Sequence, residues 1–211
     1  LNYYGVSPLA GRIDNLYFWL SLDSVLRGIG RAAFPIFCFL LVEGAVHTRS
    51  PRKYLLRLAS FALISEIPFD LALHNQPFYW GTQNVFFTLL AGLLVIQAFQ
   101  SSPGQEWRGM LALAVLGAAA ELCGTDYGAI GVAVIAVMYL LRERFWAASV
   151  LSLILLVLLA RIEIFSIPAF LILALYNGKR GRQPKYFFYV FYPVHLLILW
   201  AAGNFVLPAL L

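Results

Sequence analysis

The chain has 211 residues, of which 62% are hydrophobic, 16% aromatic and only 12% charged, with a mean hydropathy of +0.81 and a formal net charge of +5. A soluble domain of this size carries about a quarter charged residues, so this composition leaves too little polar surface to cover a globule in water. An ordinary soluble enzyme is excluded, and an all-α, polytopic transmembrane helical bundle is predicted.

A helix needs about 20 mostly apolar residues to span the hydrocarbon. Eight segments approach this, at 31–48, 53–73, 83–100, 108–123, 128–142, 145–160, 164–177 and 186–208. Short connections join them into one domain over 1–211. The opening residues LNYYGV read like the exit of a further helix, so an additional span upstream of Leu1 is expected. Lys and Arg collect on the cytoplasmic side. If the turn at 49–57 faces the cytoplasm, alternation brings 100–108, 142–144 and 178–185 to the same side, and these four turns hold 11 of the 15 basic residues. Asp14, Asp23, Glu66, Asp70, Glu121, Asp126 and Glu163 fall on the other side. The positive charge is then mainly an orientation signal, with membrane lipids as partners. Nucleic acid is not expected, because the basic residues are split among turns without an aromatic stacking platform. A homo-oligomer is compatible with the composition and not required by it.

Residues 7–30 mix Tyr17, Phe18 and Trp19 with charges, as an amphipathic segment lying along the outer interface does. The next helix has Pro35 near its start, where the missing amide costs little. Glu43 and His47 are four apart and share a helix face near the cytoplasmic end. A carboxylate beside an imidazole orients it and raises its basicity, as a general base requires; the alternative is a pair that only reaches for the interface. In the turn HTRSPRKYLLR, Arg49, Arg52, Lys53 and Arg57 suit phosphate or pyrophosphate oxygens, or serve topology alone.

Glu66, Asp70 and His74 recur at four-residue steps, stacked on one helix face. Metal coordination, proton relay and amine binding all fit such a stack. Metal is the weakest, since no second His approaches in sequence, and none is assigned. Gln83 and Asn84 stand where a helix N-cap is expected. Gly117 lies in an Ala- and Leu-rich helix suited to close packing. The turn GTDYG puts Asp126 and Tyr127 level with Asp70, so an acidic outer vestibule follows. Cys38 and Cys123 read as buried free thiols. Arg161 and Glu163 are too close in sequence to pair along a helix. A second basic turn, GKRGRQPK, carries Arg182 and Lys185. His195 lies ten residues beyond Lys185, about 15 Å at helical rise, near mid-membrane beside Tyr192. Charged groups at that depth cost about 2.5–3.5 kcal/mol each and face a cavity or partner; together they predict one internal passage from a cationic mouth to an anionic far side.

The blocks GRAAFPIFCFLLVEGAVHTRSPRKYLLRL, ALISEIPFDL, QNVFFTLL, TDYGAIGV and KYFFYVFYPVHLLIL, in this order, make the chain resemble the TraX family, named for a conjugative pilin acetylase. More distantly it is similar to transmembrane acyltransferases such as heparan-alpha-glucosaminide N-acetyltransferase. The resemblance implies a multi-pass protein of the bacterial inner (cytoplasmic) membrane that N-acetylates an acceptor with acetyl-CoA as co-substrate. It also implies an acidic residue and a His on a helix before Leu1. On this reading His195, and His47 with Glu43, are catalytic candidates. Arg49, Arg52, Lys53, Arg57, Arg182 and Lys185 hold CoA phosphates, and Glu66, Asp70, Asn84 and Asp126 take an amine or hydroxyl acceptor. A proton- or cation-coupled secondary transporter using the buried acids is the alternative, although interrupted helices and related halves are not evident. A scaffolding subunit leaves the buried ionisable groups unexplained.

Overall fold

The computed structural model describes residues 16–101, 104–179 and 187–206, and every regular element within them is helical. In chain order these are α1 (Leu16–Arg31), α2 (Ala33–His47), α3 (Pro51–His74), α4 (Val85–Ser101), α5 (Glu106–Leu122), α6 (Gly128–Leu140) and α7 (Phe145–Leu159). A 3-10 segment (Arg161–Ser166) then leads into the short α8 (Ile167–Leu173), and α9 (Phe187–Ala201) ends in a π-turn (Ala202–Val206). From Leu16 on, the segment expected along the outer interface is helical and runs almost unbroken into α2. One expectation changes. The span expected at 164–177 is only seven α-helical residues, because Pro168 cannot continue a helix begun upstream and instead opens α8 at its first turn.

Only one stretch among the described residues, Asp23–His47, combines the length and hydropathy needed to cross a membrane; α4, α6, α7 and the run Tyr189–Phe205 are apolar but shorter. The 24-residue α3 is long enough, yet it carries Arg52, Lys53, Arg57, Glu66 and Asp70.

Helix α4 is the centre of the packing, touching α2, α3, α5 and α6. Cys38, Leu41, Leu58, Ala62, Leu89, Leu93, Ile96 and Ile135 form the core, each at most 3% exposed. Gly92 lets α4 and α6 approach so closely that any Cβ there would meet Ile135. Helix α9 packs on α3 at the edge of the bundle.

Side-chain and loop contacts define the two ends. At one, Gln97 and Gln100 of α4 reach the carbonyls of Pro51 and Ala45 across 3.4 Å each. At the other, the loop before α4 lies beside the α5–α6 turn: the Gln83 amide donates to the Gly124 carbonyl at 2.9 Å, and the Asp126 amide to the Gln83 carbonyl at 3.0 Å. Cys38 is buried as expected, but Cys123 is exposed because α5 ends one residue earlier and the chain turns outward.

Candidate functional site

The chemistry-bearing residues fall into two groups, one at each end, with the close-packed apolar core between them. The single passage expected from the sequence is therefore corrected. Packing between α2, α3, α4 and α6 closes the middle, and nine residues of α2, about 13 Å of rise, separate Phe34 from Glu43.

At the basic end, His47 is largely exposed, and its Nδ1 lies 2.9 Å from the Glu43 carbonyl, against 3.8 Å to the Glu43 carboxylate. The carboxylate instead accepts the Tyr176 hydroxyl at 3.1 Å. It borders a small cleft of about 40 Å³ that also holds Arg142. Arg49, Arg52 and Lys53 are exposed at the same end, while Arg57 is half-buried one turn deeper. Its guanidinium lies 5.6 Å from the Tyr54 ring centroid and 5.9 Å from that of Tyr189. Arg182 and Lys185 lie outside the described residues.

The other end is acidic, and there the spacing of Glu66, Asp70 and His74 does place them on one face, each meeting the loop that leads into α4. Asn84 donates its side-chain amide to Glu66 and to the Ala62 carbonyl at 2.8 Å. Its Oδ1 accepts the Phe86 amide at 3.0 Å, which makes it the N-cap of α4. Asp70 accepts the Tyr79 amide at 2.8 Å, and His74 Nε2 pairs with the Thr82 hydroxyl at 2.9 Å. Asn84 and Asp70 are at most 2% exposed. Asp126 stands in the α5–α6 turn, open to solvent on one side and crowded by helix ends on the other. Desolvation holds its carboxyl above the usual carboxylate range, opposed by the positive charge of Arg31.

Sequence reasoning placed Tyr127 and Glu163 at this end but did not foresee the pairing of Arg31 with Glu163. Arg31 donates to Glu163 at 3.0 Å, although 132 residues separate them, and Glu163 is 1% exposed. Tyr127 stacks on Phe34 with centroids 3.5 Å apart, and its phenol interacts with Arg31 and Asp126. Tyr192 of α9, edge-on to Phe86 at 5.0 Å, brings a second phenol within electrostatic reach of Asp126 and Glu66. Glu163 and Asp126 thus flank the Arg31 guanidinium, while Glu66 and Asp70 lie together on α3; one oxygen each of Glu66, Asp70 and Glu163 is buried without a hydrogen-bond partner. Such a concentration of carboxylates attracts cations. Nothing local in the sequence pairs Arg31 with Glu163; only the flanking Asp126 and Tyr127 carried a signal, through their turn.

His195 lies one helical turn beyond Tyr192, half-buried, stacked on Phe191 and edge-on to Tyr192 at 5.5 Å. Its Nδ1 is 3.0 Å from the Phe191 carbonyl. A carbonyl only accepts, so Nδ1 carries the proton and Nε2 keeps its lone pair when the ring is neutral.

An all-helical bundle with a carboxylate cluster at one end and arginines at the other is the architecture the described residues define. The family model described as TraX protein matches residues 12–202, and the chain belongs to the TraX family. It is 34% identical to a protein of Dichelobacter nodosus named as a probable fimbrial assembly protein FimC, serogroup H1, over 85% of this chain and 83% of that one. It is 28% identical to Protein TraX of Escherichia coli, over 88% of this chain and 78% of that one. No solved structure matches at a significant level.

Proposed function

We propose that this protein is a multi-pass acyltransferase of the bacterial inner membrane, transferring acetyl from cytoplasmic acetyl-CoA to an amine, or a hydroxyl, of an acceptor at the acidic end. Multi-pass insertion is supported by the outer surface. Leu56, Leu63, Ile64 and Ile67 of α3, Val115 of α5, Leu158 of α7 and Ile198 of α9 are all exposed, whereas monomeric soluble proteins rarely expose contiguous apolar patches beyond a few hundred Å². With the basic end in the cytoplasm, CoA phosphates meet Arg49, Arg52 and Lys53. The cleft of Glu66, Asp70 and Asp126 draws in an ammonium group. The fimbrial assembly name of one relative points to a peptide subunit of a surface fibre as acceptor.

In this reading the acceptor amine gives up one proton to the acidic cleft. Its lone pair then attacks the thioester carbonyl while His195 Nε2 takes a second proton. The C–N bond forms, the C–S bond breaks, and CoA departs as a thiol carrying the proton from His195. The observation that carries the proposal is the gathering of Glu66, Asp70, Asp126 and Glu163 at one end, with Tyr192 and His195 on the helix packed against α3.

The test uses the full chain in nanodiscs with radiolabelled acetyl-CoA and peptides bearing free amines. Label moves to the peptide, and His195→Ala or an Arg52/Lys53 double change abolishes the transfer. Absence of CoA binding, with ion-coupled uptake in proteoliposomes instead, would overturn the proposal in favour of a transporter.

A further inference from the structure

The acyl donor reads as entering from the basic end and the acceptor as sitting at the acidic end, yet the middle of the bundle is closed by side chains at most 3% exposed. A donor arm needs another route. We propose that the pantetheine arm of the CoA thioester lies along the outside of the seam between α3 and α9, entered past Arg57 and ending at Tyr192 beside Glu66. This rests on the acyltransferase reading and adds where its donor binds.

Helix α9 packs along α3 at the edge of the bundle, and Arg57, Phe61, Tyr189 and Tyr192 at their junction stay half-buried against the core. From the basic end outward they are Arg57, held by Tyr54 and Tyr189; Phe61, stacked on Tyr189 at 4.9 Å; and Tyr192, edge-on to Phe86 at 5.0 Å and within the field of Glu66. Arg57 Nε is buried without a hydrogen-bond partner. A guanidinium fork with a spare donor, one turn deeper than Lys53, suits the carbonyl and phosphate oxygens at the head of the arm. The aromatic faces suit the gem-dimethyl and methylene groups that follow.

Length agrees as well. Nine residues of α3 separate Arg57 from Glu66, about 13 Å at helical rise. The arm from pyrophosphate to sulfur has twelve or so chain atoms, comparable to four extended peptide residues, or about 14 Å. Pro68 and Pro193 lie inside α3 and α9, so the carbonyls of Ile64 and Tyr189 lose their usual helical donors. Such carbonyls are acceptors that the amide N–H groups of the arm can use.

The experiment measures acetyl-CoA affinity of the full chain in phosphatidylcholine nanodiscs, with each variant's thermal unfolding recorded beside it. Arg57→Gln and Tyr189→Leu are expected to weaken binding about three- to thirty-fold, as loss of one hydrogen bond or one apolar contact to the arm implies, with the acceptor's KM unchanged. Leu56→Ala, next to Arg57 but exposed away from the seam, leaves affinity as it was. An acyl-CoA carrying a photoreactive acyl group labels peptides of α3 and α9, a readout independent of variant folding. Unaltered affinity in both variants, or labelling confined to α4–α6, overturns the seam and leaves the acyltransferase reading standing. No binding by the unchanged protein overturns that reading itself. If Arg57→Gln matters only when phosphatidylglycerol is present, the arginine serves a lipid headgroup and the proposal fails.

Discussion

Replacing Arg31 with alanine strands Glu163, a carboxylate that is 1% exposed and already has one oxygen without a partner. Removing one member of a buried ion pair costs about 3–5 kcal/mol, because the remaining charge keeps its desolvation penalty and loses its compensation. The Arg31 side chain is 34% exposed, so water screens part of the attraction, and the expected loss falls to about 2–3 kcal/mol. The reverse change, Glu163→Ala, leaves a half-exposed guanidinium that turns to solvent or to Asp126, and costs about 1 kcal/mol. Changing both to leucine removes charge and desolvation together and lands within about 1 kcal/mol of the unchanged protein. Equilibrium unfolding in mixed micelles, followed by the fluorescence of the five tryptophans, measures all three. If Arg31→Ala falls within roughly 0.5 kcal/mol of the unchanged protein, or if the two single losses add up in the double change, the pair does not bind α1 to the 3-10 segment as described.

Gly92→Ala forces a methyl group against Ile135, which is fully buried and has nowhere to retreat; a loss of about 1–3 kcal/mol is expected from overpacking, read in the same unfolding assay. Asp126 gives a pH signature. Its folded-state carboxyl is raised by desolvation, so the folded state binds that proton more tightly than the unfolded chain does. The resulting stability is fully present below the ordinary aspartate pKa of about 3.9 and is lost as pH rises through the raised value. Asp126→Asn therefore flattens the decline in unfolding free energy between acidic and neutral pH, and an unchanged pH profile would refute the assignment.

Much of the framework was readable in one dimension because it depends on local regularities. Apolar runs bounded by Pro, Gly and basic turns located α3, α4, α5, α6 and α7 to within a few residues, and the alternation of charge put Asp70 and Asp126 at the same end. Four-residue spacing put Glu66, Asp70 and His74 on one face, and Asn84 stood in a capping position that the fold uses. The same spacing brought Glu43 and His47 onto one face, with Nδ1 3.8 Å from the carboxylate. Adjacency on a face does not decide whether a ring nitrogen prefers a carboxylate or its own helix carbonyl, and here Nδ1 lies nearer the carbonyl while Tyr176 donates to the carboxylate.

Amino-acid order alone determined that this chain is helical, strongly apolar, and polarised into a basic and an acidic end, since hydropathy, periodicity and charge position all act over a few residues. Tertiary packing decided which groups meet. It joined Arg31 to Glu163 across 132 residues, set Tyr127 and Tyr192 among the acids, closed the centre of the bundle with Leu93, Ile96 and Ile135, and left α9 at the edge. Contacts of that kind depend on how whole helices cross one another, which no short stretch of sequence encodes.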